Sequence, residues 1–213
     1  MHRLTVWGTA IATIVVLALP FVGGGGPGLE ASAHANVIPQ DALAFTPTGK
    51  ACPSYIPGSP QDSVGDTTSP LGVGGTLQQD LVDFALAYNK IRIEHCLSPI
   101  PWSNFTWDPC MEDRLFWMAE DPSTDPASAW GHMGSERSDG LPSVGCDGNL
   151  AGGSGNTAAQ VAQKWWDSLK HRKSLYRPGT SIAGACIAFA MSHGGIPNEA
   201  YDFTRAAARW YAC

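Results

Sequence analysis

The spacing of apolar residues predicts a first amphipathic helix that runs from about Thr76 to Glu94. Apolar side chains recur there at intervals of three and four, which places them along one face of a helix. This stripe consists of Leu77, Leu81, Phe84, Ala85 and Tyr88. A capping box of Thr76 and Gln79 is expected to begin the helix.

A second helix is predicted to begin at Asp108, a favourable N-cap residue that is followed by Pro109. It should end before Pro122. Its predicted buried stripe consists of Met111, Leu115, Met118 and Ala119.

A third helix is predicted to open with a capping box of Thr157 and Gln160. One of its faces carries Val161, Trp165, Ser168 and Leu169. Trp165 belongs to that face and is predicted to be core. Trp166 lies off it and is expected to be partly exposed, where it could contact a ligand or another segment.

Two apolar runs near the C-terminus, 181–191 and 206–213, are typical of strands, whereas 122–155 is mostly loop-like. The predicted order is helix, helix, short strand and loop, helix, then strands. That order favours an α+β or α-β-α layered domain over a doubly wound parallel sheet.

The N-terminal 35 residues have the pattern of a secretory signal peptide. A basic start precedes an uncharged apolar run over 4–22, and the triplet Ala33-His34-Ala35 suits cleavage after Ala35. The alternative is an uncleaved anchor, because the apolar run is nearly long enough to cross a bilayer. The mature protein is therefore expected to be extracellular, with no further membrane span.

Residues 36–75 are rich in Pro, Gly, Ser and Thr and show no hydrophobic period. We expect an extended arm with little regular structure. Apart from a disulfide through Cys52, the arm should be dispensable for the fold of residues 76–213.

All six cysteines follow the predicted cleavage site, and an even number in an exported chain favours disulfides. A short loop separates Cys96 from Cys110, so this pair is expected to bridge. The remaining pairs would then be Cys186 with Cys213, across two strands, and Cys52 with Cys146.

The net charge of −6 argues against nucleic acid as a partner. The one basic cluster, residues 170–173, is interpreted as a complement to the dipole at the end of the third helix. Asn104-Phe105-Thr106 is an acceptor for N-glycosylation in a source that glycosylates exported proteins.

Three ordered motifs resemble the CAP superfamily, the exported SCP domain of cysteine-rich secretory proteins, antigen 5 and plant pathogenesis-related proteins, in its bacterial form. They are YNKIR followed by LSPIPW, then GHM, then GNLAGG paired with WWDSLKHR. The resemblance covers residues 76–213. It implies a disulfide-braced three-layer α-β-α sandwich whose cleft holds two histidines and two acidic residues, which in some relatives bind a divalent metal.

The resemblance places the two histidines at His132 and His171. The two family glutamates fall on Gly148 and Ser168, so both expected carboxylates are missing. A glycine at 148 should leave the cleft wider and less acidic, and zinc should bind only weakly.

Nearby aspartates could compensate for the missing glutamates. Asp147 is adjacent to Gly148. Asp167 stands four residues before His171, so on a continuous helix it could bind a metal beside the imidazole or orient it.

Other catalytic interpretations find little support in the sequence. Ser168 lies near His171 but lacks the sharp turn of a nucleophile elbow. The acidic residues near the expected cleft show no pairing typical of a glycosidase: Glu136, Asp139, Asp147 and Asp167.

The sequence therefore favours a non-enzymatic extracellular binding module. The resemblance implies as its ligand a small apolar molecule such as a sterol or fatty acid, a wall component or a protein, without selecting among them. The candidate ligand-binding residues are His132, Asp167, Trp166, Ser168 and His171. The alternative is a metal-assisted hydrolase that uses His132 and His171.

Overall fold

The computed structural model describes residues 51–125, 127–195 and 202–213. The predicted signal peptide and the beginning of the arm, 36–50, lie outside these residues. The helices are Gln78–Glu94 (α1), Pro109–Ala119 (α2) and Ala158–Asp167 (α3), and the strands are Phe105–Trp107 (β1), Asn149–Ser154 (β2), Ala185–His193 (β3) and Phe203–Ala212 (β4). Within the described ranges, no helix combines the length and apolarity needed to cross a membrane.

Two of the three predicted helix starts are confirmed by their hydrogen bonds. Asp108 Oδ1 accepts from the Met111 N–H at 3.1 Å, which caps α2. The capping box of α3 is present, because the Gln160 N–H donates to Thr157 Oγ1 and the Thr157 N–H donates to Gln160 Oε1.

The predicted capping box of α1 is wrong. Leu77 is the N-cap, and its N–H donates to Asp80 Oδ2 at 2.8 Å. Thr76 is instead buried, and both its N–H and its hydroxyl donate to Glu112 Oε1 at 2.6 Å. A tertiary contact with α2 therefore replaces the local one.

The four strands form a mixed sheet in the order β1-β3-β4-β2. β1 runs parallel to β3, whereas β3–β4 and β2–β4 are antiparallel. With its helices, this sheet makes the chain an α+β protein, as predicted. β1 was not predicted because a three-residue strand shows no measurable alternation.

Helices cover both faces of the sheet, and the alternation of side chains along β3 explains how. Ile187 and Phe189 pack with α1 and α3, while Ala188 and Ala190 pack with α2. The Phe84 ring of α1 stacks on Phe189 at 4.2 Å. The predicted stripes form this core, except that Leu77 and Leu169 are exposed and Ser168 is only half-buried.

The third helix is shorter than predicted. It ends at Asp167, and Ser168 has extended backbone with ψ 117°. A three-residue helical turn, Leu169–His171, and a π-helical turn, Arg172–Tyr176, follow. This change of path buries Leu175 and Tyr176, and the Tyr176 hydroxyl donates to Ala162 O at 2.8 Å.

The same packing buries Trp166, which is only 8% exposed. Its ring stacks on His95 at 4.2 Å and meets Tyr176 edge-on at 5.1 Å. The predicted partial exposure of Trp166 is therefore wrong, because the chain after α3 folds back over a side chain that an ideal helix would leave in solvent.

Three disulfides join all six cysteines, and one predicted pair, Cys186–Cys213, is confirmed. The other two predicted pairs, Cys96–Cys110 and Cys52–Cys146, are wrong. The bonds observed are Cys52–Cys96 and Cys110–Cys146. A backbone hydrogen bond of 2.8 Å from the Cys146 N–H to Cys110 O brings the distant loop, not the end of α1, to the start of α2.

The described part of the arm has little regular structure, as expected, and contains only isolated bridges such as Gly74↔His193. It is nevertheless packed into the fold. Val73 is 3% exposed, and the Thr67 hydroxyl donates to the buried carboxylate of Glu112. These contacts argue against the expectation that the arm is dispensable.

Candidate functional site

The first candidate site is built on His132 and Asp147, which lie 15 positions apart in one loop. His132 Nδ1 lies 2.7 Å from Asp147 Oδ1, and 66% of the His132 side chain is exposed. The Gly148 N–H also donates to Asp147 Oδ1, at 2.9 Å. The carboxylate thus fixes the orientation of an imidazole whose Nε2 faces away from it.

The ionisation of Asp147 is shifted by its surroundings. Burial alone raises the pKa of this carboxyl, but the hydrogen bonds from His132 and from the Gly148 N–H outweigh burial and lower it. Asp147 is therefore fully ionised at neutral pH, as an orienting carboxylate must be.

The fully buried Arg114 of α2 holds the loop that carries His132. Its Nη2 donates to Gly131 O at 2.6 Å and to Ser135 Oγ at 3.1 Å, on either side of the histidine. Burial lowers the pKa of Arg114, and the negative charge of Asp147 opposes that effect. The position of His132 is thus set by Arg114 of α2 as well as by Asp147 of its own loop.

His171 lies in the turn after α3. Burial, followed by the positive charges of His132 and Lys170, lowers the pKa of His171 below 6.5, so its imidazole is neutral at pH 7.

The other predicted site residues do not join these histidines. Asp167 accepts a hydrogen bond from Gln163, one turn earlier on α3, at 2.9 Å. Because α3 ends there, Asp167 and His171 do not share a continuous helix, so the condition under which they would lie on one helix face is not met. Ser168 ends α3, and Trp166 is buried.

Gly148 does not widen a cleft. A Cβ at this position would lie 2.9 Å from Met111 Sδ and 3.1 Å from Ala208 O. The residue is therefore packed between α2 and β4, and the expectation of an open space at Gly148 is wrong. Asp147, one residue earlier, supplies the carboxylate that contacts His132.

A metal does not fit the two histidines as they stand. In the described ranges, the one group of three His, Cys, Asp or Glu ligand atoms within 4.8 Å of one another is Asp108, Cys110 and Cys146. Those two cysteines are bonded to each other. His132, Asp147 and His171 do not converge in this way, and Asp147 already occupies Nδ1 of His132.

The second candidate site is an apolar groove of about 510 Å³ on the outward face of α1. Its walls and rim include Leu86, Ala87, Lys90, Ile93, Ala159 and Tyr55. Tyr55 comes from the arm and is 59% exposed, so its ring covers part of α1 without filling the groove. Lys90 and Glu94 pair weakly at the rim, at 3.8 Å.

The sequence carries a signal for this groove, which the stronger core stripe of α1 conceals. Leu86, Lys90 and Ile93 are spaced i, i+4 and i+7, which makes a second stripe on α1 beside the core stripe. The sequence gives no comparable signal that Tyr55 lines the groove, because apolar residues do not recur at regular intervals in the arm.

Neither a family model, nor a curated protein, nor a solved structure matches this chain.

Proposed function

We propose that this chain is an exported binding module of CAP type that takes up a single-chain apolar molecule, such as a fatty acid, in the groove of α1. The module would act outside the cell, after removal of the N-terminal 35 residues. The groove, not the histidine pair, would carry its main activity.

The groove is the observation that carries this proposal. Its volume of about 510 Å³ lies in the range of sites that enclose small molecules. Leu86, Ala87 and Ile93 offer aliphatic walls, and Lys90, together with the carboxylates of Asp83 and Glu94, forms a polar rim. An acyl chain would gain from leaving water along these walls.

The fold supports the proposal of a CAP-type α-β-α sandwich. α1 and α3 cover one face of the sheet and α2 the other. The three disulfides suit an oxidising, extracellular-type environment.

A bulky side chain in the groove tests the proposal. Ala159 is an exposed residue of α3 that lines the groove, so Ala159→Trp should fill it without disturbing the core. We expect it to weaken binding of a fluorescent polyunsaturated fatty acid at least about tenfold, or roughly 1.4 kcal/mol. Gln163→Trp, one turn further along the same exposed face, should bind as the unmodified protein does. Equal affinities for all three proteins would contradict the proposal.

A metal-assisted hydrolase is the second candidate, and the oriented His132 favours it. This function would require His171 and Asp147 to rearrange around an ion, since the three do not converge now. The test is calorimetric titration of zinc into the purified protein and into His132→Ala. Micromolar or tighter binding that the substitution abolishes would favour the hydrolase.

A further inference from the structure

Positive charge is concentrated immediately after α3. Lys170, Arg172, Lys173 and Arg177 lie within eight positions, and no acidic residue occurs from 168 to 198. The whole chain, in contrast, has a net charge of −6. Three of the four side chains are exposed and Arg172 is half-buried, so this basic turn, residues 168–177, presents a local cationic surface.

Among the residues that the structure describes, the four cations of the basic turn find no protein counter-ion. None of them forms an ion pair with a carboxylate in the part of the chain that the structure describes. Elsewhere, arginines do find such partners: Arg137 pairs with Asp139 at 2.6 Å and Arg209 with Asp108 at 2.5 Å. The basic turn thus keeps its charge available to an external anion.

Aromatic rings, not carboxylates, hold the two arginines. The guanidinium of Arg172 lies 5.0 Å from the centre of the Trp166 ring, and that of Arg177 lies 5.5 Å from the centre of the Trp210 ring. Arg177 Nε also donates to Ser174 O at 3.2 Å. Stacking restricts each planar group before any ligand arrives, which lowers the entropic cost of binding.

The helix dipole that the sequence suggested explains only part of this cluster. α3 ends at Asp167, and a helical segment of two short elements, Leu169–His171 and Arg172–Tyr176, follows it. Lys173 and Arg177 lie at its C-terminal end, where a cation is favourable, but Lys170 lies in its first turn, where a cation is unfavourable. The dipole therefore does not account for the whole cluster.

The chemistry of the turn favours phosphate. Planar guanidinium groups bind two oxygens of one phosphate in parallel, and lysines add point charges beside them. Nucleic acid is disfavoured because neither tryptophan beside the turn is free for base stacking: Trp166 is buried, and Trp210 is half-buried and covered by Arg177. A membrane is disfavoured because Leu169 is the one exposed apolar side chain of the turn.

We propose that the basic turn binds a flexible polymer of repeated phosphate groups without bases, of the kind that a phosphodiester-linked surface polymer would present. This surface shares no residue with the apolar groove, so the inference stands independently of the function proposed above. Binding through several phosphates would weaken as salt displaces the polymer from the four cations.

Titration of inorganic polyphosphate into the full mature protein tests the proposal. Lys170→Gln with Lys173→Gln removes two exposed charges and should weaken binding about tenfold at low salt. It should also reduce the slope of log K against log salt by about one to two. The matched control, Lys50→Gln with Lys164→Gln, removes two charges at positions outside the turn and should change neither quantity.

A second variant tests the role of the guanidinium plane. Arg172→Lys with Arg177→Lys keeps the charge but loses the planar fork, and it should also bind polyphosphate more weakly. Circular dichroism would confirm that each variant is folded.

Four outcomes would overturn the proposal. They are no binding of polyphosphate at low salt, equal weakening by the control pair, equal affinity for polyglutamate of the same length, and tighter binding of single-stranded DNA or of vesicles of anionic lipid. Polyphosphate binding that only the turn variants weaken would support it.

Discussion

Asp147 shows at the scale of one residue how far a sequence pattern leads, because the sequence offered it only as one of two aspartates that could replace the missing glutamates. The resemblance singled out His132 and placed one of the acidic positions at Gly148, where this chain has no carboxylate. In the structure, Asp147 contacts His132, and Gly148 is packed against Met111 and Ala208. Which of the two neighbouring residues, 147 or 148, contacts His132 depends on the register in which β2 pairs with β4. A local sequence pattern does not encode that register.

Replacement of Asp147 by asparagine should change how stability depends on pH. The native fold lowers the pKa of this carboxyl below the ordinary 3.8, so its contribution is present above that value and is lost as the pH falls through the native pKa. The difference in free energy of unfolding between the unmodified protein and Asp147→Asn should therefore shrink below about pH 4. It should not exceed about 1 kcal/mol at neutral pH, because the pair is partly exposed. Urea unfolding of both proteins at several pH values measures this difference in free energy.

The control for Asp147→Asn is Asp66→Asn, a substitution at an exposed position of the arm. This variant should show no such dependence on pH. A stability difference for Asp147→Asn that stays constant, or grows, in acid would contradict the interaction with His132.

Removal of His132 should raise the pKa of His171. The positive charge of His132 is one of the causes that lower the pKa of His171, after burial. Titration of the His171 ring signals by NMR in His132→Gln should show the increase. His193→Gln, which removes an imidazole bound to Asp80, should leave His171 unchanged. An unchanged pKa of His171 in both variants would mean that the charge of His132 does not act on His171.

At the scale of elements, the hydrophobic period predicted the three helices but not how they end. α3 stops at Asp167 because burying Leu175 and Tyr176 redirects the chain, and this gain arises only in the folded protein. The arm had no period at all, yet Val73 is buried. Its place is fixed by hydrogen bonds to one carboxylate, that of Glu112, which sequence patterns do not reveal.

Glu112→Gln should loosen the arm. The buried carboxylate accepts hydrogen bonds from Thr67, from Thr76 and, at 3.2 Å, from Trp107 Nε1. An amide cannot accept all of these bonds, and hydrogen bonds to a charged group contribute about 1.5–3 kcal/mol each. We expect a loss of at least about 1.5 kcal/mol in thermal or urea unfolding. Glu136→Gln, at an exposed position, should be neutral, and equal stability of both variants would contradict a structural role for the arm.

At the scale of the whole molecule, three disulfides connect parts that are distant in sequence. They span 44, 36 and 27 positions, and they tie the arm to the end of α1, the long loop to α2, and β3 to the C-terminus. The sequence predicted the last pair because both cysteines lie in neighbouring strands. The other two depend on the path of the arm and loop, so spacing alone pointed to the wrong partners.

Peptide mapping of the unreduced protein should find Cys52 linked to Cys96 and Cys110 linked to Cys146. The double substitution of Cys52 and Cys96 by serine should destabilise the protein by about 2–4 kcal/mol, since a long loop is no longer closed. A linked peptide that contains Cys96 and Cys110 would contradict the structure.

The groove of α1 should hold an acyl chain, and an NMR titration with a spin-labelled fatty acid tests this most directly. The label broadens the amide signals of residues close to it. We expect broadening at Leu86, Ile93 and Ala159, relieved by an excess of unlabelled fatty acid, with His132 unaffected. Broadening centred on His132 or His171, or no saturable broadening at all, would show that the groove is not the binding site.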